Sequence, residues 1–316
     1  MSPSGEESSG RGDDSAESGA SDDSHVDPSE AFAALSDPLR VDILRALAAF
    51  HRESAAESVG FAELRKRVDV RDSGRFRYHL NELRDHFVRK DGGGYRLTHA
   101  GIKIVAAILA GTYTDRGSIG PEPLDSDCSH CDARAVAVYE DGYCAVSCEN
   151  DHTLFAWSVP PAAATDASLP EIVSHAELFA RQAIERTLAG ICPKCSAPVD
   201  PAVVEDETAP TPRLRTRCDT CGATMAGPVG FCLLVDPAVE SFYRRHDRPL
   251  DDLYVWEPAF VADDSTVSVA ATDPLRVEIS VTLDAETLTV SVDEAGRVSV
   301  DESDHASADE SSRGDE

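Results

Sequence analysis

The sequence predicts an α+β protein with two domains. Three observations carry that expectation. Residues 29–113 combine helical apolar stripes with one Gly-rich hairpin. Residues 128–221 hold CxxC pairs set between alternating, strand-like runs. Residues 266–300 alternate apolar and polar with a period of two.

The elements follow in chain order. Residues 1–28 are Ser, Gly, Asp and Glu with almost nothing apolar, so they cannot offset the entropy of ordering and are expected to be disordered. Ala31 to Leu35 can form a short helix. Ser36-Asp37-Pro38 ends it and starts the next, with Asp37 as cap and Pro38 at the first helical position. Leu39, Ile43, Leu44 and Leu47 give that helix its buried face. His51 to Gly60 reads as a loop.

Phe61 to Leu97 organises the first domain. A short amphipathic helix, Phe61 to Val68, precedes a turn. In the next helix Phe76, Leu80, Leu83 and Phe87 fall at i, i+4, i+7 and i+11, one stripe on one face. Asp72 can cap its free amides. At about 100° per residue, Gly74, Tyr78 and Asn81 lie opposite the stripe, with Arg75 and Arg77 on its flanks. Phe87 to Lys90 and Gly94 to Thr98 are alternating runs. Asp91-Gly92-Gly93-Gly94 between them supplies the positive-φ positions of a tight turn. Helix, turn, helix and hairpin in that order describe a winged helix-turn-helix. The candidate DNA contacts are Ser73, Arg75, Arg77, Tyr78 and Asn81 on the helix, and Arg89, Lys90 and Arg96 on the wing.

Thr98 can cap a helix over His99 to Leu109, with Ile102, Val105, Ala106 and Leu109 as its stripe. Ala107, Ile108 and Ala110 make it apolar on more than one side. That leaves two expectations open: burial within its own chain, or contact with the same helix of a second subunit.

Residues 114–127 read as a linker, and Gly120 to Asp127 is rich in Pro and Asp. The second domain, 128–300, opens on Cys128-Ser-His-Cys131. A strand, Arg134 to Tyr139, an Asp141-Gly142 turn and a strand ending at Cys148 follow. Knuckle, hairpin, knuckle is the layout of a zinc ribbon, here 128–157. Cys128, Cys131, Cys148 and His152 are the preferred ligands. Cys144 with Cys148 is the alternative pair, but Cys144 lies mid-strand, where knuckle geometry is poor. His130 is expected to be exposed. Pro170 to Leu188 reads as a helix with Ile172, Leu178, Phe179 and Ile184 among its apolar positions. Cys192, Cys195, Cys218 and Cys221 make a second ribbon, 192–234, around an acidic, Pro-rich loop. Cys232 is expected to be a buried thiol. Pro237 to Arg245 is a short helix over which Trp256 and Phe260 can pack. Four antiparallel strands are expected over 266–300: Val267 and Val269; Val277, Ile279 and Val281; Leu288, Val290 and Val292; Val298 and Val300. The acidic tail 301–316 is expected to be disordered.

Charge narrows the function. The chain carries 58 Asp and Glu against 29 Lys and Arg, net −29. Residues 61–97 hold ten Lys/Arg and six Asp/Glu, net +4, so the remainder carries −33. A positive island in so acidic a chain points to an anionic partner, double-stranded DNA; the alternative is a solvated helix face in a winged helix that binds protein. Only four residues are Lys: Lys66, Lys90, Lys103 and Lys194. Such an acidic, Lys-poor composition suits a halophilic cytoplasm, where salt screens self-repulsion. The nine cysteines sit mostly in CxxC pairs, which in a cytosolic chain indicate metal before disulfide. No apolar run suits a membrane, and the N-terminus has no signal-peptide pattern, so a cytoplasmic protein is expected. No nucleophile elbow, HExxH, P-loop or dinucleotide fingerprint appears. Four ligands per ion leave no open position for water, so two structural zinc ions in a non-enzyme are expected.

The run from Ala34 to Leu44, ALSDPLRVDIL, resembles the opening of ArsR-like winged-helix transcription regulators. Asp72 to Leu80, DSGRFRYHL, and Gly94 to Thr98, GYRLT, resemble the recognition helix and wing of the haloarchaeal branch. The region with both ribbons is similar to the domain that follows the winged helix in haloarchaeal regulators. The resemblance implies a dimeric repressor or activator on a near-palindromic site; for the second domain it implies the architecture and no ligand. One expectation is therefore a sequence-specific regulator whose zinc-ribbon half senses a signal or holds a protein or small-molecule partner. Metal-sensing members carry a cysteine pair in the helix before the recognition helix. Phe61 to Val68 has none, so that property does not carry over. The alternative expectation is a general factor. Archaeal transcription initiation factor E also joins a winged helix to a zinc ribbon, and acts through RNA polymerase and promoter DNA.

Overall fold

The computed structural model describes residues 27–54, 57–84 and 86–300. The ends expected to be disordered therefore lie, apart from Asp27 and Pro28, outside the described residues. The fold is mixed α+β, and the chain divides after Ala106 into two compact units.

In the first unit, α1 (Pro28–Ala33) begins earlier than its apolar residues suggest, because the Asp27 side chain accepts from the Ser29 amide and Pro28 takes the first turn. Asp37 caps α2 (Pro38–Glu53) by accepting from the Leu39 amide at 2.9 Å. This helix runs into the expected loop, and its last turn buries Phe50. After α3 (Phe61–Arg67), Asp72 Oδ1 accepts from the amides of Gly74 and Arg75 at 2.7 and 3.1 Å and starts α4 (Ser73–Arg84). Phe76, Leu80, Leu83 and Phe87 are all buried. They share one core with Ile43, Leu44, Leu47 and Leu64.

Strands β1 (Val88–Asp91) and β2 (Gly94–Leu97) pair antiparallel, Val88 with Leu97 and Asp91 with Gly94. Gly92 and Gly93 make the whole turn, at φ 55° and 89°. Gly94 belongs to the strand. A bridge from Val59 to Tyr95 widens the hairpin from the α2–α3 side.

Thr98 Oγ1 accepts from the Gly101 amide at 3.0 Å at the start of α5 (His99–Leu109), as expected. Of the expected stripe only Val105 is buried. Gly101 and Val105 face inward, and a Cβ on Gly101 would stand 2.1 Å from the Phe87 carbonyl oxygen. Backbone contact at that glycine rotates the helix. Ile102 and Leu109 are consequently 54% and 45% exposed.

The second unit holds three antiparallel sheets, in each of which every strand pairs with its neighbours in sequence. The first contains β3 (Ser118–Asp127), β4 (Arg134–Glu140), β5 (Tyr143–Cys148) and β6 (Thr153–Ser158). Most of the expected linker is thus a strand. Pro121 and Pro123 are tolerated because β3 is an edge strand with a single neighbour.

After α6 (Pro161–Ala164), a Ser168–Glu171 capping box opens α7 (Leu169–Leu188), which packs on this sheet. Small residues form much of its buried face: Ala176, Ala180 and Ala183, with Ile172, Val173 and Ile184. Leu178, an expected core position, is 51% exposed.

The loop expected between the second pair of cysteine knuckles contains β7 (Ala202–Val204) and β8 (Arg213–Arg217), which form a sheet with β9 (Thr224–Pro228). A 3-10 stretch, Val229–Val235, buries Cys232 as expected, and α8 (Pro237–Arg245) follows. After the short α9 (Ala259–Ala262), the last sheet has the four expected strands: β10 (Val267–Thr272), β11 (Leu275–Leu283), β12 (Glu286–Asp293) and β13 (Val298–Val300).

Polar groups tie the 254–257 segment to α7 and β3. Glu177 on α7 is buried and accepts from the Val255 amide at 2.7 Å. The Ser126 hydroxyl donates to Glu257 Oε1 at 2.7 Å and accepts from Trp256 Nε1 at 3.1 Å. The indole N–H needs an acceptor when buried. Trp256 lies against Phe155 and Tyr254, at 5.9 and 4.6 Å between ring centroids. Phe260 does meet Tyr243, edge-on at 5.9 Å.

Candidate metal centres and nucleic-acid interface

Two clusters of potential ligands form in the second unit. In each, the four ligand atoms lie within 4.8 Å of one another. The first is Cys128, Cys131, Cys148 and His152; the second is Cys192, Cys195, Cys218 and Cys221. All eight are the residues expected from spacing. A tetrahedral ion with metal–sulfur bonds of about 2.3 Å needs sulfur–sulfur edges of about 3.8 Å. Cys131 and Cys148 stand 3.7 Å apart, Cys192 and Cys221 3.7 Å, and Cys195 and Cys218 3.5 Å. His152 Nδ1 lies 3.5 Å from both Cys128 and Cys148 sulfurs. Each cluster could therefore hold a metal ion.

The knuckles share a backbone device. The residue after the second cysteine of each CxxC is left-handed: Asp132 at φ 55°, Ser196 at 64° and Gly222 at 73°. That bend turns amides toward the thiols. The amides of Cys195 and Lys194 hold the Cys192 thiol down at about 6. The Asn150 side chain, 3.3 Å from Cys131 Sγ, and the Ala133 amide hold Cys131 down at about 6. Such thiols are poised to be the thiolates a cation requires. In the sequence, only its place between Cys148 and His152 marks Asn150.

Not every ligand thiol is held down. Burial raises Cys128, and at Cys195 the Ala197 amide is outweighed by burial together with the hydrogen bonds among neighbouring thiols, which push it up to about 12. Two cysteines lie outside the clusters. Cys144 is fully buried four residues before Cys148 on the same strand, about 13 Å away at strand rise. Burial pushes its thiol up to about 11. Burial likewise pushes Cys232 up to about 12. Neither belongs to a cluster, so His152 and not Cys144 completes the first site. His130 is exposed, as expected.

In the first unit Ser73, Arg75, Arg77, Tyr78 and Asn81 are exposed on α4, with Tyr78 56% accessible. Their side chains are not equally free. The Arg77 guanidinium lies 5.0 Å over the Phe61 ring, and Asn81 Oδ1 accepts from Arg84 at 3.5 Å. Arg75, Arg89 and Lys90 are exposed and make no ion pair among the described residues. Arg96 differs from expectation. It is half-buried and ion-paired with Asp91 across the hairpin, so it braces the turn instead of extending from it. His79 is buried, with its Nδ1 3.4 Å from Arg40 Nε and 3.7 Å from Asp37. His51 is exposed and His86 half-buried.

These two units define an α+β protein with a compact helical N-terminal unit and a larger one built around two candidate metal centres. The chain belongs to the family described as Domain of unknown function (DUF7351), which matches residues 125–298 and so contains both clusters. Residues 28–108 match a second family, Domain of unknown function (DUF7347), which covers α1 to α5 almost completely. No curated protein and no solved structure matches the chain. Among the described residues no helix is long and apolar enough to cross a membrane.

Proposed function

We propose that this protein is a sequence-specific DNA-binding transcription regulator of ArsR-like type, with a winged helix-turn-helix at its N-terminus. One observation carries the reading. In a chain of net charge −29, Arg75, Arg89 and Lys90 are exposed on one helix and its adjoining hairpin and make no ion pair among the described residues. Asp72 stands near Arg75 but is held by backbone amides, and DNA phosphate would give the three cations a counter-charge. Arg75 and Tyr78, near the N-terminal end of α4, would meet base edges, while Arg89 and Lys90 on the wing would meet phosphate.

The protein acts as a homodimer on a near-palindromic site. The support is the exposed row Ile102, Ala106 and Leu109 on α5, spaced at i, i+4 and i+7. The ions in the two clusters are zinc, since thiolate and imidazole in closed tetrahedral sets suit that metal. They serve as structural ions that hold a domain for sensing or partner binding.

The pairing of winged helix and zinc ribbon also supports a second reading, a general factor of initiation factor E type. Genome-wide occupancy separates the two. Binding at a limited set of operators is expected, whereas occupancy of most promoters would favour the general factor, and no occupancy would sink both.

A further inference from the structure

A cavity of about 470 Å³ lies in the second unit between two sheet edges, β6 of the first sheet and β9 of the second. Each of these strands has one neighbour in its sheet, so half of its backbone N–H and C=O groups face away from that neighbour. Residues 153–157 and 225–228 line the cavity without a break. Side chains alternate along a strand, so an unbroken run of lining residues means that both strands present their edges rather than one face.

Four aromatic rings also contribute to the lining: Phe155, Trp157, Phe231 and Trp256. Phe231 fits because Gly227 has no side chain; a Cβ there would stand 2.2 Å from the Phe231 ring. The Trp256 N–H is already given to Ser126, so its ring offers the cavity apolar surface. The volume falls within the roughly 300–1,000 Å³ of small-molecule sites. An apolar cavity of about 150 Å³ already holds a benzene, so this one has room for a fused ring system.

One acid and one base line the cavity, Asp264 and Arg213. Arg213 also acts electrostatically on Asp206, and Asp264 accepts from the Thr211 hydroxyl at 2.8 Å. The two charges offset each other. An ion of either sign would give up its water here and gain no net counter-charge, whereas a neutral molecule incurs no such cost.

We propose that this cavity binds a neutral, planar aromatic molecule, with its rings against the aromatic lining and its polar substituents hydrogen-bonded to the edges of β6 and β9. As an effector site it rests on the regulator reading; ligand binding itself is measured without DNA, so the two fail separately.

The test titrates the full chain in molar potassium chloride with uncharged N-phenylnaphthylamine and with anilinonaphthalene sulfonate, the same body carrying a negative charge. The neutral probe should bind once per chain, at least about tenfold more tightly than the sulfonate. Trp157 and Trp256 are the two tryptophans of the chain and both line the cavity, so tryptophan emission should fall as the probe binds. Phe231→Leu keeps apolar bulk but loses the flat ring, and should weaken the neutral probe about three- to tenfold. Ala156→Phe, at an exposed lining position of β6, should weaken it at least about tenfold by filling the space. Metal content and unfolding temperature equal to wild type show that each variant is folded. No saturable binding of the neutral probe, unchanged tryptophan emission, or unchanged affinity in both variants would overturn the site. Sulfonate binding as tight as that of the neutral probe would overturn the assignment of a neutral ligand.

Discussion

Replacing Glu177 by Gln should make the protein more stable at pH 8 and leave it unchanged below about pH 4.5. Glu177 is buried in α7, and burial pushes its carboxyl from an ordinary 4.5 up to about 7. The Val255 amide and Arg181 oppose that rise, and Glu257 adds to it. The folded chain therefore holds this proton more tightly than the unfolded chain does. Below 4.5 the group is protonated in both states and costs nothing. As pH rises from 4.5 to 7, stability is lost, and above 7 the full penalty remains. The interval is 2.5 units, and each unit corresponds to about 1.4 kcal/mol, so the penalty is on the order of 3 kcal/mol. Glutamine keeps an oxygen for the Val255 amide but cannot ionise. For a unit of roughly 200 residues, about 3 kcal/mol corresponds to a rise in melting temperature of roughly 6–12 °C at pH 8. Thermal unfolding of both proteins across pH 4.5–8 in molar salt measures this, and the difference between them cancels titrations they share. A constant difference across that range, or none at pH 8, would refute the assignment of a buried, proton-holding Glu177.

Further outcomes are expected. Elemental analysis of protein purified without chelator should give about two zinc ions per chain; Cys195→Ser should remove one and destabilise the second unit, because site assembly is coupled to folding. Full folding with no metal would refute both centres. Arg75→Ala should cost on the order of 1–3 kcal/mol on the cognate site and flatten discrimination among sequences. Lys90→Ala should weaken all sequences alike and lower the salt slope by about one unit, an effect that fades in molar salt. Equal salt sensitivity of the two variants would undo that division of roles. Leu109→Asp should turn a dimer into a monomer in light scattering without lowering zinc content, and an unchanged mass would remove the α5 row from the interface.

The parts of this molecule that could be read from sequence are those where one local rule dominates. Phe76, Leu80 and Leu83 had to share a face, and Asp72 stood where a cap was needed. The two ligand clusters followed from CxxC spacing, because a knuckle is a local structure. Misreadings arose where a distant neighbour decided. Strand β3 looked like a linker because its prolines discourage pairing, yet an edge position removes that objection. The inward face of α5 was set by the room at Gly101, not by the larger side chains. Strands β7 and β8 lay hidden in an acidic stretch whose alternation is short. Trp256 went to Ser126, 130 residues earlier in the chain, for a hydrogen bond that no periodicity encodes. Arg96 pairs with Asp91 across the hairpin, a contact set by strand register that the turn sequence alone does not display.

The sequential pairing within all three sheets of the second unit bears on how the chain reaches its fold. Each sheet is built within a single continuous stretch, so its strands meet by closing short loops at low entropic cost. Low contact order of this kind favours early formation, sheet by sheet, as the polypeptide lengthens. The contacts that join these stretches are of another sort. Ser126 with Trp256 and Glu257, and Glu177 with Val255, span 130, 131 and 78 residues. They fasten the 254–257 segment after the sheets exist and are therefore late. Ser126→Ala should accelerate unfolding and leave the folding rate nearly unchanged, a φ-value close to zero; a slowed folding rate would instead place this clasp in the nucleus. On this account the clasp governs how long the folded second unit persists, while the meanders govern how quickly it forms.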